Sequence, residues 1–154
     1  MRRGSTNTNT TAWLIAGIAL YGATTYSSAR ASQDAPKTAS TTWDAVFTEA
    51  QAKRGDALYS QYCAKCHAPD LTGDVAPALT GADFTANWND LSLGDLFERM
   101  RIGMPADKPG SVSRQDNADI LAFMLFTAGF PAGANGLPAQ AEMLKDVKFV
   151  AQRK

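Results

Sequence analysis

Apolar residues recur at three- and four-residue steps in three stretches of the chain, the spacing of helices that each bury one face. The first covers 49–62, with Ala52, Gly55, Leu58, Tyr59 and Tyr62 on its stripe. Gly55 costs such a helix about 1 kcal/mol relative to alanine, so a close backbone approach by another element is the expected compensation. The second begins at Ser92, an N-cap with Asp95 three residues on, and runs to about Arg101 with Leu93, Leu96, Phe97 and Met100 inward. Gly103 stands where a C-terminal cap belongs. The third starts near Ser113, continues through Ile120, Leu121, Met124 and Leu125, and is ended by Gly129 and Pro131.

Between the first two stretches lies 68–91, rich in Gly, Pro, Asp and Asn, which reads as one long loop. A loop of that length is uncommon unless it wraps something. After Phe130 the pattern turns irregular at Gly133 and Gly136. Pro138 opens a short helix through Leu144, and Val147, Phe149 and Val150 lie against the surface. The strand signal is weak throughout, which predicts an all-α fold. The core-forming region is 43–130, and 131–154 is expected as a C-terminal extension packed on its surface.

The first thirty-one residues read differently. Arg2 and Arg3 precede the apolar stretch 12–21, and Ala29-Arg30-Ala31 follows as a small-residue exit. That order describes a secretory signal peptide. The apolar stretch is shorter than the roughly 20 residues a spanning helix needs. Cleavage after Ala31 is expected, with the mature chain starting at Ser32; the alternative is an uncleaved N-terminal anchor, the one route by which the protein would sit at a membrane. Residues 32–42 are polar and read as a flexible leader.

The 154 residues suit one domain, and 19% charged with 45% apolar residues excludes a collagen-like fibre, a disordered chain and a multi-pass membrane protein. Fifteen basic and fifteen acidic residues balance, which leaves no electrostatic footprint for nucleic acid. The signal segment holds Arg2, Arg3 and Arg30 and no acid, so the mature chain carries 12 basic and 15 acidic residues, a net charge of −3. Encounters with partner proteins are then expected to depend only modestly on salt.

Both cysteines and the only histidine fall in one pentapeptide, Cys63-Ala64-Lys65-Cys66-His67. C-x-x-C-H is the attachment signature of a c-type haem. Two thiols three residues apart at a helix end can form thioethers with the two vinyl groups on one porphyrin edge, and the next residue then offers an imidazole to the iron. A structural zinc site would be one ligand short, and a thioredoxin-like dithiol would need a βαβ context. A plain disulfide explains neither His67 nor the long loop. One haem c, held through Cys63 and Cys66, is the expectation. No second histidine exists for the sixth coordination position, so methionine is the expected donor. Met104, between Gly103 and Pro105 just past a helix end, is favoured over Met100 on the inward face of the second stretch; Met124 reads as core and Met143 as peripheral.

With these residues in view the chain resembles class I c-type cytochromes. The resemblance rests on Gly55-Asp56-Ala57-Leu58-Tyr59, Cys63 to His67, Gly103-Met104-Pro105 and the run Ala118 to Phe123. More narrowly it is similar to haem c domains and small cytochromes associated with quinoprotein (PQQ-dependent) alcohol dehydrogenases, through Ala76 to Gly81, Phe84 to Trp88 and Asn135 to Pro138. The resemblance implies a cytochrome c-like fold, three main helices and long loops around one covalent haem. His67 becomes the proximal ligand and Met104 the distal one, with Pro77 offering its carbonyl to the free imidazole N–H. An aromatic of the third helix should lie over Gly55. Trp88 and Arg101 become candidates to contact the haem propionates, the first otherwise a core aromatic and the second a solvated helix end.

The implied function is an exported, periplasmic electron carrier rather than an enzyme. It would pass single electrons between redox partner proteins, a dehydrogenase (a quinoprotein among them) on one side and a terminal oxidase or another cytochrome on the other. Two alternatives stand beside it: an obligate electron-transfer subunit of a larger dehydrogenase or respiratory complex, and a haem sensor or peroxidase-like enzyme with a displaceable methionine.

Overall fold

A computed structural model of the chain describes residues 41–153. The expected export signal and all but the end of the leader lie outside the described residues. The described part is helical: α1 (Glu49–Tyr62), α2 (Ala64–His67), α3 (Gly81–Trp88), α4 (Leu93–Gly103), α5 (Arg114–Thr127) and α6 (Ala141–Leu144). Among the described residues no strand forms; isolated bridges tie Thr41 and Ser92 to Lys148.

Side-chain caps start the three long helices. Thr48 accepts from Gln51 N, Ser92 from Asp95 N and Ser113 from Asp116 N, each satisfying a donor that the first turn leaves orphaned. At the end of α5, Gly129 takes φ +86°, its N–H reaches Phe126 O and that of Phe130 reaches Leu125 O, the paired bonds of a Schellman turn. Helix α4 ends otherwise. It runs through Gly103, and Met104 caps it in extended conformation (φ −124°, ψ 151°), as the residue before a proline is sterically pushed to do.

The largest helix–helix contact is α1 on α5. Gly55 makes it possible: a Cβ there would sit 1.9 Å from Asp119 O and 2.9 Å from Phe123 Cβ. One residue earlier, Arg54 closes a bidentate pair on the buried Asp119 carboxylate, Nε to Oδ2 at 2.6 Å and Nη2 to Oδ1 at 2.9 Å. The pair holds the Arg54 guanidinium above its ordinary pKa, through the Asp119 hydrogen bond first. Tyr59 and Phe123 rings meet at 5.4 Å across the same crossing.

The C-terminal segment lies deeper than a surface extension. Phe149 is fully buried, and Leu137, Ala141, Leu144 and Val147 join it in the core. Phe149 packs edge-on against Phe130 at 5.3 Å and Phe84 at 6.1 Å, and Phe130 in turn meets Trp43 at 4.8 Å. Gln51, buried on α1, holds Leu137 by both backbone groups, at 3.0 and 2.7 Å. The end of the leader is also part of this layer: Thr42 is fully buried, donates its N–H to Lys148 O and accepts at Oγ1 from Val150 N.

A candidate haem site

The attachment pentapeptide forms where α1 breaks. Cys63 donates its N–H to Tyr59 O, closing the last turn, and then accepts from Cys66 N (3.1 Å) and His67 N (3.0 Å) to begin α2. This single turn brings Cys63, Cys66 and His67 to one cavity of about 970 Å³. The size is at the upper end of small-molecule sites, roughly 300–1,000 Å³. Its other walls come from Trp88 on α3, Leu96 and Met100 on α4, Met104 and Pro105 beyond it, and Ile120 and Met124 on α5.

The imidazole is held in one orientation. His67 is 8% exposed, and its Nδ1 donates to Pro77 O at 2.7 Å. A carbonyl can only accept, so in the neutral ring the proton is on Nδ1 and the lone pair on Nε2, free to bind a metal. The loop that delivers Pro77 folds back on the pentapeptide: Gly73 N donates to His67 O and Ala76 N to Cys66 O, both at 3.0 Å. Ala68 sits at φ 61°, ψ 154°, a region normally reserved for glycine. The buried Tyr59 braces it, its hydroxyl proton shared between Ala68 O (2.7 Å) and His67 O (3.2 Å). Burial, with smaller contributions from Cys63 and Asp70, pushes the Tyr59 hydroxyl up to about 12, so it stays a donor. Burial likewise pushes the Cys63 thiol up to about 11.

Of the residues singled out in the sequence, Cys63, Cys66, His67, Pro77, Trp88 and Met104 all line the cavity. Trp88 also leans on Phe84, ring centroids 6.4 Å apart, so it is both wall and core. Arg101 is not in the wall. Its Nε donates to Glu98 Oε2 at 2.9 Å and its Nη2 pairs with Oε1, which lowers the Glu98 carboxyl and raises the guanidinium. Residues three apart share a helix face, and that face of α4 points away from the cavity. Arg99 and Lys65 are the cations that line it. Sequence reasoning also passed over Asn117, a polar residue on the inward face of α5.

The donor set and the cavity fit a covalent haem: two thiols and a histidine on one turn, a lone pair fixed on Nε2, thioethers on a separate element, and apolar walls between. Residues 50–124 match the family model described as cytochrome c oxidase, cbb3-type, subunit III. That match runs from α1 to Met124 of α5 and so takes in the pentapeptide, Pro77 and Met104. It supports a class I c-type cytochrome domain, which implies covalent haem c and electron transfer. The fold is all-α and cytochrome c-like, as expected. Comparison with curated proteins and with solved structures gives no match.

Proposed function

We propose that the chain is an exported monohaem c-type cytochrome that passes single electrons between a periplasmic dehydrogenase and a downstream respiratory acceptor. The observation that carries the reading is the His67–Pro77 hydrogen bond at 2.7 Å inside a cavity that both cysteines share. It presents Nε2 as a ligand of fixed tautomer and strengthens its basicity. Bound there, haem iron would supply a one-electron couple, ferric to ferrous. Each cysteine would add its S–H across one vinyl group, sulfur to one carbon and hydrogen to the other. The Met104 thioether would take the sixth position, which fills the coordination site and raises the potential. The walls are largely apolar, so the change of charge would take place in a medium of lower dielectric than water.

The narrow resemblance to quinoprotein-associated cytochromes makes a quinoprotein alcohol dehydrogenase the proposed donor. A terminal oxidase or a second cytochrome is the proposed acceptor. The description of the matching family, an oxidase subunit, favours a second reading in which the chain is a permanent subunit of such a complex. Co-purification with a large partner through gel filtration would select that reading; a monomeric holoprotein would select the shuttle.

The test of electron transfer against ligand-binding chemistry is carbon monoxide. With Met104 on the iron, the reduced spectrum at neutral pH is expected to stay unchanged under CO, and Met104→Ala to become CO-binding. A reduced wild-type protein that takes up CO readily would overturn the carrier reading in favour of a sensor or peroxidase-like protein.

A further inference from the structure

The wall that α5 gives the cavity consists of Asn117, Ile120 and Met124, spaced so that all three share one helix face. Two of them are apolar, and Asn117 breaks the pattern. It is 3% exposed, and burying an amide costs free energy unless its groups are bonded. Half of the amide is bonded. Nδ2 donates to Val112 O at 3.1 Å and to Ser113 O at 3.0 Å. Those two carbonyls fix which way the amide faces, since a reversed group would set its oxygen against two acceptors.

Oδ1 is left. Among the described residues no donor reaches it, yet no fully enclosed side-chain oxygen or nitrogen lacks a partner. The remaining surface of Asn117 is therefore where Oδ1 opens into the cavity it lines. A leucine here would serve the apolar wall better. The amide instead places the negative end of a fixed dipole inside a space of low dielectric, where such a dipole acts strongly.

Resting on the reading of the cavity as a haem site, we propose that Asn117 sets the reduction potential of that site downward. The ferric state carries one more positive charge than the ferrous state, so a partial negative charge held in the cavity favours the oxidised form. Asn117 acts through this field and is not a ligand. It opposes the upward effect of a thioether ligand, and the two together tune the couple to its partners.

The experiment is a redox titration of the haem-loaded wild type, Asn117→Leu and Leu125→Ala. The second variant loosens the packing of the same helix at a buried residue that neither lines the cavity nor holds the Asn117 amide. Asn117→Leu is expected to raise the reduced-to-oxidised ratio at a fixed poise at least threefold, about 28 mV at about 59 mV per tenfold for one electron. Leu125→Ala is expected to lose thermal stability and keep the wild-type potential. An unchanged or lowered potential in Asn117→Leu, with its sulfur-to-iron absorption band intact, overturns the proposal. So does an equal shift in Leu125→Ala, which would mark a purely structural effect. Should Asn117→Leu not load haem, Asn117→Ala takes its place under the same criteria. Wild-type protein that holds no covalent haem after acid–acetone extraction would instead remove the reading beneath the proposal, an outcome visible before any titration.

Discussion

Replacing Gly55 with alanine sets two effects of opposite sign against each other. In an isolated helix the change is favourable by about 1 kcal/mol, because alanine loses less backbone entropy. In this fold the new Cβ would lie 1.9 Å from Asp119 O and 2.5 Å from Asp119 C, where real Cβ atoms stay beyond 3.0 Å. Both are backbone atoms and cannot rotate away, so α1 and α5 must part by about 1 Å at their crossing. A gap of that size forfeits a quarter to a half of each contact's dispersion energy. It also strains the Arg54–Asp119 pair beside it. Overpacking of this kind costs about 1–3 kcal/mol, and rigid backbone on both sides puts Gly55 at the upper end.

The net expectation for Gly55→Ala is a loss of about 2 kcal/mol, or roughly 6–12 °C in Tm for a domain of this size. Thermal unfolding of the haem-loaded protein followed by far-UV circular dichroism would measure it. Because α1 leads directly into Cys63 and α5 forms a cavity wall, weaker haem retention during expression should accompany the loss. A Tm equal to or above wild type would mean that the helices do not meet at Gly55.

Phe149→Ala should cost about 3–5 kcal/mol in a denaturant titration, the usual loss for a buried aromatic. A change under about 1 kcal/mol would return the C-terminal segment to the surface. Tyr59 gives an alkaline prediction. Its hydroxyl is raised from 10 to about 12 in the fold, chiefly by burial, so the stability it contributes is complete below pH 10 and is lost as the pH rises toward 12. Unfolding midpoints between pH 8 and 12 should fall less steeply in Tyr59→Phe than in wild type. Parallel curves would show that Tyr59 does not titrate in that window.

The parts of the fold written in short-range chemistry were legible. Ser92 and Ser113 announce their helices because a hydroxyl one residue outside a periodic run has one use, and α1 follows from its stripe. Helix α3 was hidden inside the expected loop. It is eight residues long, opens on Gly81 after a Thr80 that makes no side-chain cap, and shows only Phe84 and Trp88 at helical spacing. Gly103 looked like a left-handed cap, but Pro105 already dictates how the chain leaves α4 through Met104. The depth of Phe149 depends on Phe84 and Phe130, partners 65 and 19 residues away in sequence, and no local pattern around it reports them.

The site divides along the same line. Cys63, Cys66 and His67 carry their chemistry in their spacing, and Pro77 and Met104 entered through the family resemblance and position. Arg101 and Arg99 are both exposed-looking cations at the end of one amphipathic helix; Arg99 shares the cavity-lining face with Leu96, three residues before it, and Arg101 lies on the face it shares with Glu98. Asn117 was silent because a polar residue on the first turn of a helix ordinarily faces water.

That Cys63, Cys66 and His67 hold one covalent haem is tested by the intact mass and visible spectrum of protein produced with haem-attachment machinery, after acid–acetone extraction, beside Cys63→Ser/Cys66→Ser. The wild type is expected to keep the mass of one haem and the double variant none. Wild-type protein that emerges at the mass of the bare chain would contradict that attachment.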